Sequence, residues 1–177
     1  MLPNFSKSSV TGNAKSTKLL FILTLYAAAA IDWDALRAIW AAAVENGKLT
    51  ALPLLTGTGI DSTAHTLECK SGSVSFSVAP GEAPQDGVAT VSGVLDGVAE
   101  DQLKTAYALQ GEEVVAIVER CSDGKKFIFA NPCTGGVTFQ YQSIGAQDGG
   151  EAGVAFNLTG KDCPVPVLIF EEEVTTS

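Results

Sequence analysis

The stretch Val114-Val115-Ala116-Ile117-Val118-Glu119-Arg120, then Cys121-Ser122-Asp123-Gly124, then Lys125-Lys126-Phe127-Ile128-Phe129-Ala130-Asn131, decides the fold class. Both flanks are rich in β-branched and aromatic residues. Asp-Gly between two such runs is a strong signal for a tight β-hairpin, because glycine takes the positive φ that the turn needs. With Asp123 and Gly124 at the turn, Arg120 is expected opposite Phe127 and Val118 opposite Phe129. Glu119 then faces Ile128, and Ile117 faces Ala130. Both faces of this hairpin are largely apolar, so it belongs in mid-sheet, covered on each side.

Working outward, Ser73-Val74-Ser75-Phe76-Ser77-Val78 alternates strictly. Val74, Phe76 and Val78 are expected in a core and the three serines in water. Ala79–Gly87 is a loop, and Val88–Leu95 returns as a strand, giving a hairpin with a long tip. Thr63–Lys70, Val137–Gln142, Val154–Thr159 and Val165–Phe170 are further strands. Ala99–Leu109 reads as a short helix that Gly111 ends, and Asp96, Glu100 and Asp101 suit its N-terminal dipole. The expected fold is mainly β with one or two helices: a β-sandwich or partly closed barrel with a packed helix.

The N-terminal third divides further. Residues 1–17 form a polar arm. Residues 18–48 hold an apolar strand and a tryptophan-bearing helix, and residues 49–177 hold the sandwich or barrel domain. The run Leu19–Ile31 follows Lys15 and Lys18 and imitates a secretory signal. It is shorter than the roughly 20 residues a membrane span needs. We read Leu19–Tyr26 as a buried strand or the start of a buried helix. Asp32 or Asp34 can cap the next helix, with Leu36, Ile39, Trp40, Ala43 and Val44 at helical spacing and Gly47 at its exit. Trp33 and Trp40 lie seven apart, near one face; they suit core packing or an interface anchor.

Composition argues against several classes of function. The formal net charge is −9, which argues against a nucleic-acid grip and against docking on an anionic membrane. Charged residues make up only 18% of the chain, against the usual quarter, so some surface is expected to be covered by a partner. One histidine, His65, and two arginines, Arg37 and Arg120, leave little for acid–base chemistry or charge clamping. Nucleotide-loop, zinc-protease and serine-elbow motifs are absent. His65 and Cys69, four apart on a strand, could form a nucleophile pair, but a buried histidine beside a structural cysteine is the plainer reading. The cysteines Cys69, Cys121, Cys133 and Cys163 contain no CxxC pair and are expected as free thiols. No catalytic, cofactor or metal residues are assigned, and no cofactor is expected.

The order of elements resembles a class of virion structural proteins of crAss-like phages and prophages of Bacteroidetes bacteria, with a tail-tube-like fold. The features that carry the resemblance are the early apolar strand Lys18–Tyr26 and the strand Ser73–Val78. They continue through the loop with Gly81 and Asp86, the strand Val88–Leu95, the helix Asp101–Leu109 and the hairpin around Asp123-Gly124. Phe156-Asn157-Leu158-Thr159-Gly160 and a proline-bearing exit close the series. The resemblance spans roughly residues 60–170. It implies a subunit of a tail tube or a tail/connector ring, in a virion tail after assembly in the host cytoplasm. Its partners would be copies of itself and other phage tail or connector proteins. Genomic DNA would pass without specific binding, and no membrane would be involved. Ser73, Ser75, Ser77, Gln140, Gln142 and Asn157 are the candidate lumen-facing residues, since an ordinary wet sheet face would carry more Lys and Glu. Trp33, Trp40, Glu82, Asp86 and Asp148 are the candidate inter-subunit residues. The competing expectation is a secreted or periplasmic ligand-binding β-sandwich, with residues 1–30 as a signal segment.

Overall fold

A computed structural model describes residues 21–82, 86–133, 135–145, 152–163 and 165–171. The polar arm 1–17 and the expected contact residue Asp148 lie outside the described residues. The strands are β1 (Phe21–Ala27), β2 (Lys48–Leu49), β3 (His65–Leu67), β4 (Ser75–Pro80), β5 (Gly87–Asp96), β6 (Glu113–Arg120), β7 (Lys126–Phe129), β8 (Val137–Gly145), β9 (Gly153–Cys163) and β10 (Val167–Phe170). The helices are α1 (Trp33–Ala43) and α2 (Glu100–Leu109), with a single 3-10 turn at Ala28–Ala30. The mainly β expectation with packed helices holds.

The strands form one hydrogen-bonded sheet in the order β2-β10-β7-β6-β8-β9-β5-β4, with β1 added on β6 and β3 on β1. The sheet does not close into a barrel. It folds over where β6 meets β8, joined there by only Glu113↔Thr138 and Val114↔Val137. One half is β3-β1-β6-β7-β10-β2; the other is β8-β9-β5-β4. Their inner faces share a single core. Leu23, Leu25, Ala116, Val118 and Phe129 from the first half cluster with Val91, Phe139, Phe156 and Leu158 from the second. Phe76 on β4 packs its ring against Phe21, Phe127 and Phe129 across the gap, at centroid distances of 5.8, 5.0 and 5.2 Å. Ala106 and Leu109 of α2 enter the same core.

The far face of the first half is covered by α1. Asp32 caps this helix, accepting a hydrogen bond from the Ala35 amide at 3.2 Å. Leu36, Trp40 and Ala43 pack on Val115, Ile117, Ile128, Ala130, Leu168 and Phe170. Strand β6 is therefore buried on both faces, with alternate residues feeding two cores, as its unbroken apolar sequence requires. The described part of segment 18–48 is thus built into the same fold as the rest of the chain.

Three local expectations are corrected. The central hairpin pairs Ala116 with Phe129, Val118 with Phe127 and Glu119 with Lys126, two residues away from the register a two-residue turn would set. The cause is a longer loop. The Arg120 amide donates to the Lys125 carbonyl, and Asp123 accepts from both the Lys125 amide and the Arg120 guanidinium. A two-residue shift keeps every side chain on its expected face, so the burial pattern survives. The strand expected over Thr63–Lys70 shortens to β3. Val78, expected in the core, is 45% exposed, because β4 is an edge strand that overhangs the sandwich there.

Glycine has a packing role on β5. Gly93 pairs with Phe156, and a Cβ there would lie 2.8 Å from the Phe156 ring. The missing side chain lets Phe156 lie down on the strand and stack on Phe139, centroids 5.1 Å apart.

Candidate functional site

The candidate site is the outer face of β8-β9-β5-β4. Cross-strand register assembles it from residues far apart in sequence. Ser75 opposes Ser92, Ser92 opposes Asn157, and Asn157 opposes Gln140. Two residues along, Ser77 opposes Thr90, Thr90 opposes Thr159, and Thr159 opposes Thr138. Each row crosses all four strands, and all its members are uncharged and polar. The Ser92 hydroxyl donates to Asn157 Oδ1 at 3.0 Å, which ties β5 to β9 in the middle of the first row. On the opposite face the row Phe76, Val91, Leu158, Phe139 belongs to the core. Period-two alternation thus produces a greasy inner face and a neutral hydroxyl- and amide-bearing outer face.

Among the expected lumen residues, Ser75, Ser77, Gln140 and Asn157 lie in these rows. Ser73 does not. It sits in the turn before β4, where its hydroxyl donates to the Lys70 carbonyl at 2.7 Å and accepts from the Val94 amide at 3.2 Å. Serine beside a turn satisfies the backbone in this way rather than extending a strand face. Gln142 is also displaced. The register shifts between Tyr141 and Ser143, leaving Gln142 as the extra residue of a bulge, exposed but without an opposite number. Thr90, Ser92 and Thr138 were not expected on the face. Their signal was present in the alternation of Val88-Ala89-Thr90-Val91-Ser92-Gly93 and of Val137-Thr138-Phe139-Gln140.

The face ends at the free edge of β4 on one side and, on the other, at β8, which is open only beyond Tyr141. On one side β4 pairs only with β5. On the other, β8 is engaged by β6 and residues 110–112 only up to Tyr141, whose amide donates to Gln110 Oε1 at 2.9 Å. Both edges carry exposed apolar side chains: Val78 on β4, and Tyr141 and Ile144 on β8, 36% and 38% exposed. Tyr107 of α2, 59% exposed, meets Tyr141 edge-on at 6.0 Å.

Of the candidate contact residues, Trp40 offers no surface to a neighbour. It is 5% exposed and its Nε1 donates to the Val165 carbonyl at 3.0 Å, so it is a core residue. Trp33 is half-buried and donates to the Ala28 carbonyl. Glu82 is exposed and Asp86 half-buried at the tip of the β4–β5 hairpin, where the Gly81 amide donates to the Asp86 carbonyl.

The His65–Cys69 pair is not disposed for nucleophilic chemistry. Burial, with some help from Glu68, pushes the Cys69 thiol up to about 12, so the thiolate is scarce at neutral pH. His65 Nε2 instead lies 3.2 Å from Asp61 Oδ2. Among the described residues no group of three or more His, Cys, Asp or Glu is placed to hold a metal ion. No described helix is long and apolar enough to cross a membrane. An open groove of about 420 Å³ beside the start of β6 is lined by Ala27, Ala28, Ala29, Ala108, Gly111, Glu112 and Glu113. Its small side chains and two acids present no nucleophile or base–acid pair.

No family model, no curated protein and no solved structure matches this chain.

Proposed function

We propose that this chain is a structural subunit that assembles head to tail into a ring around a DNA channel, as a tail tube or tail/connector ring of a phage does. The observation that carries the reading is the pair of neutral polar rows that cross β8-β9-β5-β4 and end at the open edge of β4. All pairings within this half are antiparallel, and the number of strands is even. Its two edge strands therefore run in opposite directions. A second copy placed head to tail sets the free end of its β8, beyond Tyr141, antiparallel to the first copy's β4, and brings its own polar rows alongside the first.

Three further features support the reading. The β4 edge lacks the charged side chains with which soluble proteins ordinarily block strand addition. The exposed apolar residues Val78, Tyr141 and Ile144 stand at the two edges that would meet. A lumen lined by hydroxyls and amides, in a chain of net charge −9, gives phosphates nothing to hold, so DNA slides through.

The test is to purify the full chain, measure its mass by light scattering across a concentration series, and image it by negative-stain microscopy. Rings are expected. Val78→Lys, which places a charge on the β4 edge, should shift the population to monomer without changing the melting temperature of the subunit. A chain that stays monomeric at high micromolar concentration, with no rings in the images, overturns the reading.

A further inference from the structure

The two connections that carry the chain between the halves of the sandwich lie side by side. One runs from β7 to β8 through Asn131, Pro132 and Cys133; the other leaves β9 at Cys163 and reaches β10 through Val165. Helix α1 holds both. Arg37 Nε donates to the Pro132 carbonyl at 2.8 Å, and one turn on, Trp40 Nε1 donates to the Val165 carbonyl at 3.0 Å. The first connection is tightened on itself. The Gly135 and Gly136 amides both donate to the Asn131 carbonyl, and the Cys133 amide donates to Asn131 Oδ1. Beside the second grip the Cys163 thiol donates to the Val165 carbonyl at 3.3 Å, and the Cys133 side chain is close enough to help burial raise its pKa. Cys133 is exposed, Cys163 is buried, and all four cysteines of the chain are free.

The geometry points to Cys133 and Cys163 as an oxidation site, at which a small-molecule disulfide such as oxidised glutathione closes an intramolecular disulfide that staples the two connections together. The inference does not depend on ring assembly. Cys133, open to solvent, is the point of entry. Its thiolate attacks one sulfur of the oxidant, forming a mixed disulfide and releasing one glutathione thiolate. Cys163 then attacks the Cys133 sulfur, and the second glutathione leaves. The two protein thiols give up two electrons and two protons, and one glutathione disulfide becomes two glutathione thiols. Burial, above all, pushes the Cys163 thiol up to about 11, with Cys133 and Asp86 facing it, which makes the second attack the slower one. The Cys69 thiol, held up at about 12, is a poor competitor, and Cys121 stands apart on the β6–β7 loop.

The experiment treats the fully reduced chain with oxidised glutathione, then blocks and counts thiols under denaturing conditions. Digestion without reductant and mass spectrometry map the product. A peptide pair joined through Cys133 and Cys163 is expected, with no such pair in Cys133→Ser and an undiminished yield in Cys121→Ser. The oxidised chain should melt roughly 5–15 °C higher than the reduced one, a gain that reductant reverses and that Cys133→Ser does not show. Glutathione held on Cys133 with no crosslinked peptide, or a crosslink from Cys133 to Cys121, overturns the proposal.

Discussion

Ser92 on β5 donates its hydroxyl proton to Asn157 Oδ1 on β9 at 3.0 Å, and this pair sits between Ser75 on one side and Gln140 on the other. Two half-buried polar groups are satisfied by each other, so either one can be removed and read. Ser92→Ala and Asn157→Ala should each cost about 0.5–1.5 kcal/mol in urea unfolding, and the double variant should cost less than their sum. Strict additivity would mean that the two side chains do not interact.

The exposed ends of the same row should accept charge. Ser75→Lys combined with Gln140→Lys is expected to leave the subunit folded, each change costing less than about 0.5 kcal/mol. If rings form with this face inward, the added lysines repeat around the lumen and hold DNA at low salt, with release at high salt. A mobility-shift titration at two salt concentrations reads this. Assembled double-mutant rings that ignore DNA at low salt would place the row outside the channel.

At the tip of the central hairpin Gly124 has φ of +71°, and nothing lies within 4 Å of the position a Cβ would take. The cost of a side chain there is purely one of backbone conformation. Gly124→Val should destabilise by about 1–3 kcal/mol. Gly124→Asn should lose less, since asparagine tolerates the left-handed region. Equal melting of all three proteins would show that the turn relaxes freely.

Acid sensitivity should be traceable to the same loop. Hydrogen bonds from the Arg120 side chain, first, and the Lys125 amide hold the Asp123 carboxyl down at about 2. A depressed carboxylate contributes stability above its unfolded value, near 3.8, and the contribution disappears as pH falls through about 2. The melting difference between the native chain and Asp123→Asn should be constant above about pH 5 and shrink between pH 4 and 2. A difference that grows on acidification would reverse the sign and sink the assignment.

Trp40→Phe keeps the ring in the core but removes the donor to the Val165 carbonyl. The loss should be about 1–3 kcal/mol by chemical denaturation. No loss would mean that water replaces the indole.

The sequence made the faces readable and left the edges obscure. Alternation in Ser75-Phe76-Ser77 and in Thr90-Val91-Ser92 is a local property, so the neutral face could be read strand by strand. What placed these residues in common rows is register, which depends on loops and bulges. Gln142 was lost to a bulge and Ser73 to a turn for this reason. The hairpin at Asp123 shows the same limit. Its faces were legible because β-structure has a period of two, while its pairing depended on a hydrogen-bonded loop that Asp-Gly alone does not specify. Trp40 was ambiguous because an aromatic at helical spacing suits a core and an interface equally, and only the packing of α1 on β10 decides.

The place of β1 governs when the molecule can form. Phe21 pairs with Arg120 and Ala27 with Val114, so the first described strand has its principal partner far along the chain. At about 5–20 residues per second of synthesis, β1 waits on the order of 5–20 s before β6 exists at all. During that time Leu23 and Leu25, which the finished fold seals from solvent completely, face water or a chaperone. The long-range pairing also makes loop closure a late and slow event. A nascent chain halted before residue 113 should therefore remain protease-sensitive throughout, and compaction should begin only once the strand that serves both cores has emerged.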